Sequence, residues 1–155
     1  MKKNKEVITR VSEIYKWIEA QQLAHKEIAG RCEVCGKCCD FEAYGHRLYV
    51  TTPEMIYFVE KIGKANVKQM TTGRCCYQVD GPGMVSLSNR KCGVHAYRFL
   101  GCRIFCCRGE REFQSELMES AIKKFKALCD ELQIPYRYVE LPAALKSAVT
   151  VEKAE

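Results

Sequence analysis

The chain has 155 residues, eleven cysteines, three histidines and a formal net charge of +6, a length at which a single domain can bury a core without disulfide staples. The first ten residues contain no apolar run of signal-peptide length, and no stretch approaches the roughly 20 apolar residues of a membrane span. The expectation is a cytoplasmic protein with no membrane contact, whose thiols stay reduced and available to metal.

The basic excess is concentrated in residues 31–111, which hold thirteen basic and seven acidic residues and ten of the cysteines. Such an excess would suit nucleic acid or another anionic partner. Several thiolates around a metal are themselves anionic, however, so Lys37, Arg74, Arg90, Lys91, Arg98 and Arg103 are expected to neutralise the cysteine-rich segment. Nucleic acid is disfavoured as a partner on that ground.

In chain order, apolar residues at Val7, Val11, Ile14, Ile18 and Ile28, with Tyr15 beside them, predict a helix over 5–30 that stops at Gly30. His25 reads as a half-exposed helix residue. The cysteine run then begins directly: Cys32, Cys35, Cys38 and Cys39 follow the spacing C-x2-C-G-x-C-C. Two residues between sulfurs let a loop point successive side chains at one centre. Gly36 provides the backbone freedom such a loop needs. Cys38 and Cys39 diverge in any regular conformation, because neighbouring side chains point apart.

After the run, residues 47–50 read as a short strand, and His46 is a secondary ligand candidate. Thr52, Pro53 and Glu54 predict a helix start, with Thr52 as cap, and the helix runs to Ile62 before Gly63. Residues 73–77 and 84–88 predict strands of a hairpin turning at 80–83. Cys92, Cys102, Cys106 and Cys107 come after it. A helix over 110–132 is expected to bury Leu117, Met118, Ile122, Phe125, Cys129 and Leu132, so Cys129 reads as core rather than ligand. Pro135 ends that helix, residues 136–141 suit a last extended segment, and 142–148 a short terminal helix. No repeat or linker divides the chain. The expected fold is a single α+β domain over 1–155, stabilised by metal. Its cysteine-rich core, residues 31–107 with a short hairpin, is flanked by amphipathic helices over 5–30 and 110–132.

No glycine-rich phosphate loop, H-E-x-x-H or G-x-S-x-G motif is present, and no catalytic residue can be assigned. Whether the chain is an enzyme stays open. Metal binding is the one strong chemical signal.

Residues 31–107 resemble the cysteine-cluster family named for its CxxCxxCC motif, a zinc- or iron-chelating domain also called YkgJ-like, whose wider group includes flagellin lysine methylases. The resemblance is carried by Cys32-x2-Cys35-Gly36-x-Cys38-Cys39, a Thr-Pro-Glu helix start, Gly73-x-Cys75, and Cys92-x9-Cys102-Arg103. His95 stands where that family usually has Tyr, and Phe99 where it has Pro; packing is favoured over ligation for His95. The resemblance implies that Cys32, Cys35, Cys38 and Cys39 supply most ligands of a metal centre, completed by Cys75, Cys92 and Cys102, with Cys76, Cys106 and Cys107 ranked below them. The seven family-matched cysteines and these three exceed what one four-coordinate site uses, so a second centre, or packing of the second member of each adjacent pair, are both open.

Soft thiolates suit zinc and iron–sulfur clusters alike. The tight spacing, arginine-rich surroundings and surplus thiols favour a [4Fe–4S] cluster. The corresponding functions are a redox or protein-modifying iron–sulfur protein with a redox partner, or a zinc-bearing structural module that docks a protein partner.

Overall fold

A computed structural model describes residues 2–30, 39–42, 45, 47–80 and 90–154. Helices dominate. They are α1 (Lys2–Ala24), α2 (Lys26–Ala29), α3 (Thr52–Ile62), α4 (Leu100–Ile104), α5 (Arg111–Leu132) and α6 (Leu141–Ala154), with 3₁₀ turns at Lys64–Asn66 and His95–Tyr97. Four short strands, β1 (Tyr49–Thr51), β2 (Gln78–Asp80), β3 (Arg90–Cys92) and β4 (Tyr138–Glu140), form two separate antiparallel pairs, β1 with β4 and β2 with β3. The architecture is thus α+β, with helices in the majority.

The first helix follows its apolar spacing: Val7, Val11, Ile14, Tyr15 and Ile18 are all buried. It ends earlier than the periodicity suggests. The chain breaks at His25, whose φ of −122° and ψ of 38° are not helical, and restarts as the single turn α2. The break resets the helix phase, so Ala29 is buried while Ile28, expected in the stripe, is partly exposed. The exposed His25 ring lies 5.5 Å from Phe113 and its Nδ1 is 3.0 Å from the Gln21 carbonyl.

Helix α3 starts one residue before the expected position. Thr51, not Thr52, is the cap: its hydroxyl accepts from Glu54 N while the Glu54 carboxylate accepts from Thr51 N, a reciprocal capping box. Thr52 is used elsewhere, its hydroxyl accepting from Arg137 N at 2.9 Å and its own N donating to the Arg137 carbonyl. These two bonds extend the β1–β4 pairing in which Val50 lies opposite Val139. The predicted strand over 47–50 therefore exists, shifted to 49–51, and its partner is the far segment Tyr138–Glu140.

The hairpin also moves. Residues 73–77 are not a strand; they contain an isolated bridge between Arg74 and Asp40, and the Gln78 amide donates to the Cys75 carbonyl in a turn. Pairing begins only beyond it, with Gln78 opposite Cys92 and Val79 opposite Lys91. The strand expected over 84–88, and its turn beyond Asp80, fall outside the described residues. Helix α5 matches its expected range within a residue and stops at Gln133, in the left-handed conformation with φ 54°, two residues ahead of Pro135. Its buried stripe is Leu117, Ala121, Phe125, Leu128 and Cys129, with Met118, Ile122 and Leu132 at the margin. A further helix, α6, follows it and buries Leu141, Ala144 and Leu145.

Two apolar clusters result. The first packs α1 against α3 and α5 and takes in Tyr57, Leu100 and Ile104. Helices α3 and α4 of the middle segment thus share one core with the two long helices. The second cluster centres on Val50, Phe58, Tyr77, Phe99, Leu141 and Leu145.

A fully buried carboxylate joins the elements of the first cluster. Glu54 Oε2 accepts from Thr51 N at 3.0 Å and from the Thr51 hydroxyl at 2.9 Å. Its Oε1 accepts from the Tyr15 hydroxyl at 3.0 Å and from Leu100 N, the first amide of α4. One side chain therefore ties α1, β1, α3 and α4 together. Burial holds the Glu54 carboxyl above its ordinary value of 4.5, although the four donors pull in the opposite direction.

Glu54→Gln leaves one of these backbone donors facing an NH2 group, and is expected to cost about 1–3 kcal/mol in urea unfolding at neutral pH. The sign of the pH effect follows from the raised value. The folded chain keeps a proton that the unfolded chain releases, so this group's contribution to stability falls as pH rises from about 4.5 through the folded value. That decline should vanish in Glu54→Gln; an unchanged pH profile would contradict the assignment.

Candidate metal centre

Three of the described cysteines, Cys75, Cys76 and Cys102, lie on the second apolar cluster. Phe58 is fully buried on α3, with Tyr77 at 5.1 Å and Phe99 at 4.7 Å between ring centroids. Tyr77 directly follows Cys75 and Cys76, and Phe99 lies three residues before Cys102. The sulfur-bearing positions Cys75, Cys76 and Cys102 themselves pack, partly buried, on this cluster. Cys92 reaches the same region through the β2–β3 pair, where Gly93 N donates to the Tyr77 carbonyl at 2.7 Å. A single aromatic stack thus positions residues beside Cys75 and Cys102, two of the three distant cysteines of the family pattern, and the Gly93–Tyr77 bond ties the third, Cys92, to it.

The end of the cysteine run meets the same region. Cys75 N donates to the Cys39 carbonyl at 2.8 Å, and Glu42 N to the Gly73 carbonyl at 3.2 Å, so 39–42 and 73–75 run side by side. Between those bonds, the Arg74 guanidinium meets the Asp40 carboxylate at 2.9 Å. Arg74 is therefore committed to a half-buried ion pair that clips the two cysteine segments together. Cys32, Cys35, Cys38 and His46 lie outside the described residues, and among the described residues no group of three or more His, Cys, Asp or Glu is arranged to hold a metal ion.

The lower-ranked cysteines sit in three different surroundings. Cys76 Sγ faces the Lys68 carbonyl at 3.8 Å, and burial, reinforced by the neighbouring Cys75 thiol, pushes its own thiol up to about 11. Cys106 is partly buried and Cys107 exposed. Cys129 is buried in the α5 stripe, and burial raises its thiol.

Two expected roles change. Arg103 turns inward rather than toward the cysteines: its guanidinium lies 3.7 Å from the Tyr15 ring centroid, and it donates to the Arg98 and Ala96 carbonyls at 2.7 and 3.0 Å. It clamps the 3₁₀ turn onto α4 and completes the Glu54–Tyr15 network. His95, expected to pack in place of an aromatic, is exposed at the start of that turn. The inward position belongs to Tyr97, which packs on both clusters and lies 6.5 Å from Tyr57. Partial desolvation, with Arg98 and Arg103 nearby, lowers the pKa of His95. Phe99, in the position usually held by Pro, is buried against Phe58.

Glu54 is the residue whose role the sequence concealed. The Thr-x-x-Glu spacing announces a capping box, but its burial and its bonds to Tyr15 and Leu100 depend on contacts 39 and 46 residues away. A cavity of about 440 Å³ lies on the other side of α3, lined by Val50, Met55, Ile56, Val59, Val67 and Arg137 among others, with no cysteine among the described residues lining it.

No protein-family model, curated protein or solved structure matches the chain. The likeness to the cysteine-cluster family therefore rests on its motif residues.

The aromatic stack makes a direct prediction. Phe58→Ala removes a fully buried ring and should cost about 3–5 kcal/mol in equilibrium unfolding. Because the same ring supports Tyr77 and Phe99, the variant should also expose Cys75 and Cys102 to thiol-directed reagents faster than wild type in a folded sample. Equal labelling rates would separate the stack from the cysteines.

Proposed function

We propose that the chain is a metal-binding protein of the cysteine-cluster type, holding an iron–sulfur group whose four thiolate ligands are drawn mostly from Cys32, Cys35, Cys38 and Cys39 and completed from among Cys75, Cys92 and Cys102. The observation that carries this reading is the backbone pairing of Cys39 with Cys75, reinforced by the Arg74–Asp40 ion pair. It brings the end of the dense run to the second cysteine segment, as a centre built from both requires. The donor set also fits the group, since the family-matched positions are all thiols. The surplus of thiols and the basic segment around them favour a cluster of the [4Fe–4S] kind over zinc. When bound, such a group exchanges single electrons, which makes a redox or protein-modifying role the corresponding activity.

The chain's own residues do the positioning. The Phe58 stack supports Cys75, Cys76 and Cys102, and the Glu54 network fixes the start of α4 on which Cys102 stands. The Arg74–Asp40 pair holds the two cysteine segments in register. Packing of Cys76 against Lys68 weighs toward one centre rather than two, because that sulfur is turned to a backbone carbonyl.

Anaerobic purification followed by iron, zinc and acid-labile sulfide analysis tests the proposal. About four irons and four sulfides per chain are expected for one cubane. Cys35→Ser should lose most of that metal, because serine is a poor soft ligand. Stoichiometric zinc in a colourless protein would favour the structural module, and full metal retention in Cys35→Ser would sink the ligand assignment.

Metal removal should act unevenly. Segments 39–42, 67–80 and 90–95 have few long apolar elements, whereas α1, α3 and α5 share an apolar core. Hydrogen exchange after chelation should therefore accelerate in those three segments and stay slow in α1 and α5. Equal acceleration throughout would contradict this division.

A further inference from the structure

Helix α3 carries more apolar surface than the two clusters bury. Tyr57 belongs to the first cluster and Phe58 to the second, whereas Met55, Ile56 and Val59 stay half-buried and line the cavity of about 440 Å³ beside that helix. Helix α6 forms another wall, and its large residues Leu141 and Leu145 are committed to the second cluster. To the cavity it presents Ala144, Ser147 and Ala148, an i, i+3, i+4 set of small side chains that leaves the space open. Val50 and Val139, which face each other across the β1–β4 pair, add to the apolar lining.

Two polar side chains in the lining already have partners. The Thr51 hydroxyl is held by Glu54, and the Thr52 hydroxyl accepts from Arg137 N. Arg137 differs. Its backbone is pinned to Thr52 at both N and carbonyl, yet among the described residues no hydrogen bond or ion pair engages its guanidinium. Arg10, Arg47 and Arg74, by contrast, each meet a carboxylate at 2.8 to 3.1 Å. Lys64 adds a second positive charge to the lining against the single negative charge of Glu60.

We propose that this cavity binds a small aliphatic carboxylate, with its chain between α3 and α6 and its carboxylate on the Arg137 guanidinium. A planar guanidinium pairs bidentately with a carboxylate, a geometry that a neutral head group does not reproduce. A cavity of about 150 Å³ suffices for benzene, so the larger volume here suits a chain of about ten carbons. The site is lined by different residues from the cysteine segments and stands independently of the metal-binding reading.

Titration of the full chain with decanoate, followed through the methionine methyl signals in NMR, tests the site, because Met55 lines it and Met118 packs at the first cluster instead. The Met55 signal should shift saturably while that of Met118 stays in place. Arg137→Gln, which keeps the backbone bonds to Thr52, should weaken decanoate binding about tenfold and leave the binding of decanol unchanged. Ala148→Leu, at a half-buried position, should weaken both by filling the cavity. No shift at Met55, or equal shifts at both methionines, would overturn the site. Equal affinity for decanoate in wild type and Arg137→Gln would overturn the carboxylate assignment.

Discussion

The buried Glu54 carboxylate is the interaction on which the arrangement of the other elements depends. Four donors from three separate parts of the chain converge on its two oxygens, and the residues that bear them are all buried. A buried carboxylate is costly unless its lone pairs are filled. Here the filling groups are the cap of α3, the hydroxyl of the central tyrosine of α1 and the first amide of α4. Satisfying the carboxylate therefore requires all three elements to be in place at once. Arg103 extends the network, since it covers the Tyr15 ring from α4 and grips the preceding 3₁₀ turn by its carbonyls. This geometry delivers Cys102 to a fixed position at the edge of the second cluster.

The second cluster then converts a fixed scaffold into a platform for sulfur. Phe58 projects from the same helix that Glu54 begins, and Tyr77 and Phe99 pack on it from the two segments that bear the distant cysteines. The remaining connections are polar and local: the Arg74–Asp40 pair, the Cys39–Cys75 backbone bond, and the close approach of Gly30 to Cys106. Aromatic packing from within and backbone pairing from outside thus gather segments that are separated widely in sequence.

Features with a local cause were legible in the sequence. The α5 stripe, the stop at Gly63 and the burial of Cys129 follow from periodicity, from the positive φ that glycine tolerates, and from a small apolar side chain on a packed face. The shift of the α3 cap to Thr51 is a case in which the spacing rule was visible but applied one residue late, since Thr51 and Thr52 both precede Pro53. The break at His25 was hidden because Ile28 continues the apolar pattern across it. Features with distant causes were not legible. Pairing of β1 with β4 is decided by α6 and Arg137, the inward turn of Arg103 by Tyr15, and the exposure of His95 by the better fit of Tyr97 between two clusters. The candidate site shows the same division: its residue types and spacing stood out at once, whereas the different surroundings of Cys76, Cys106 and Cys107 depend on where distant parts of the chain cross.

The central claim is that cysteines from several segments converge on one thiolate-bound metal. X-ray absorption at the metal edge of anaerobically purified protein examines that first coordination shell directly. The account predicts a shell of sulfur alone, at about 2.3 Å if the metal is zinc, and with an additional iron shell if it is a cluster. A shell dominated by oxygen or nitrogen, or protein that carries no stoichiometric metal after anaerobic purification, would contradict it.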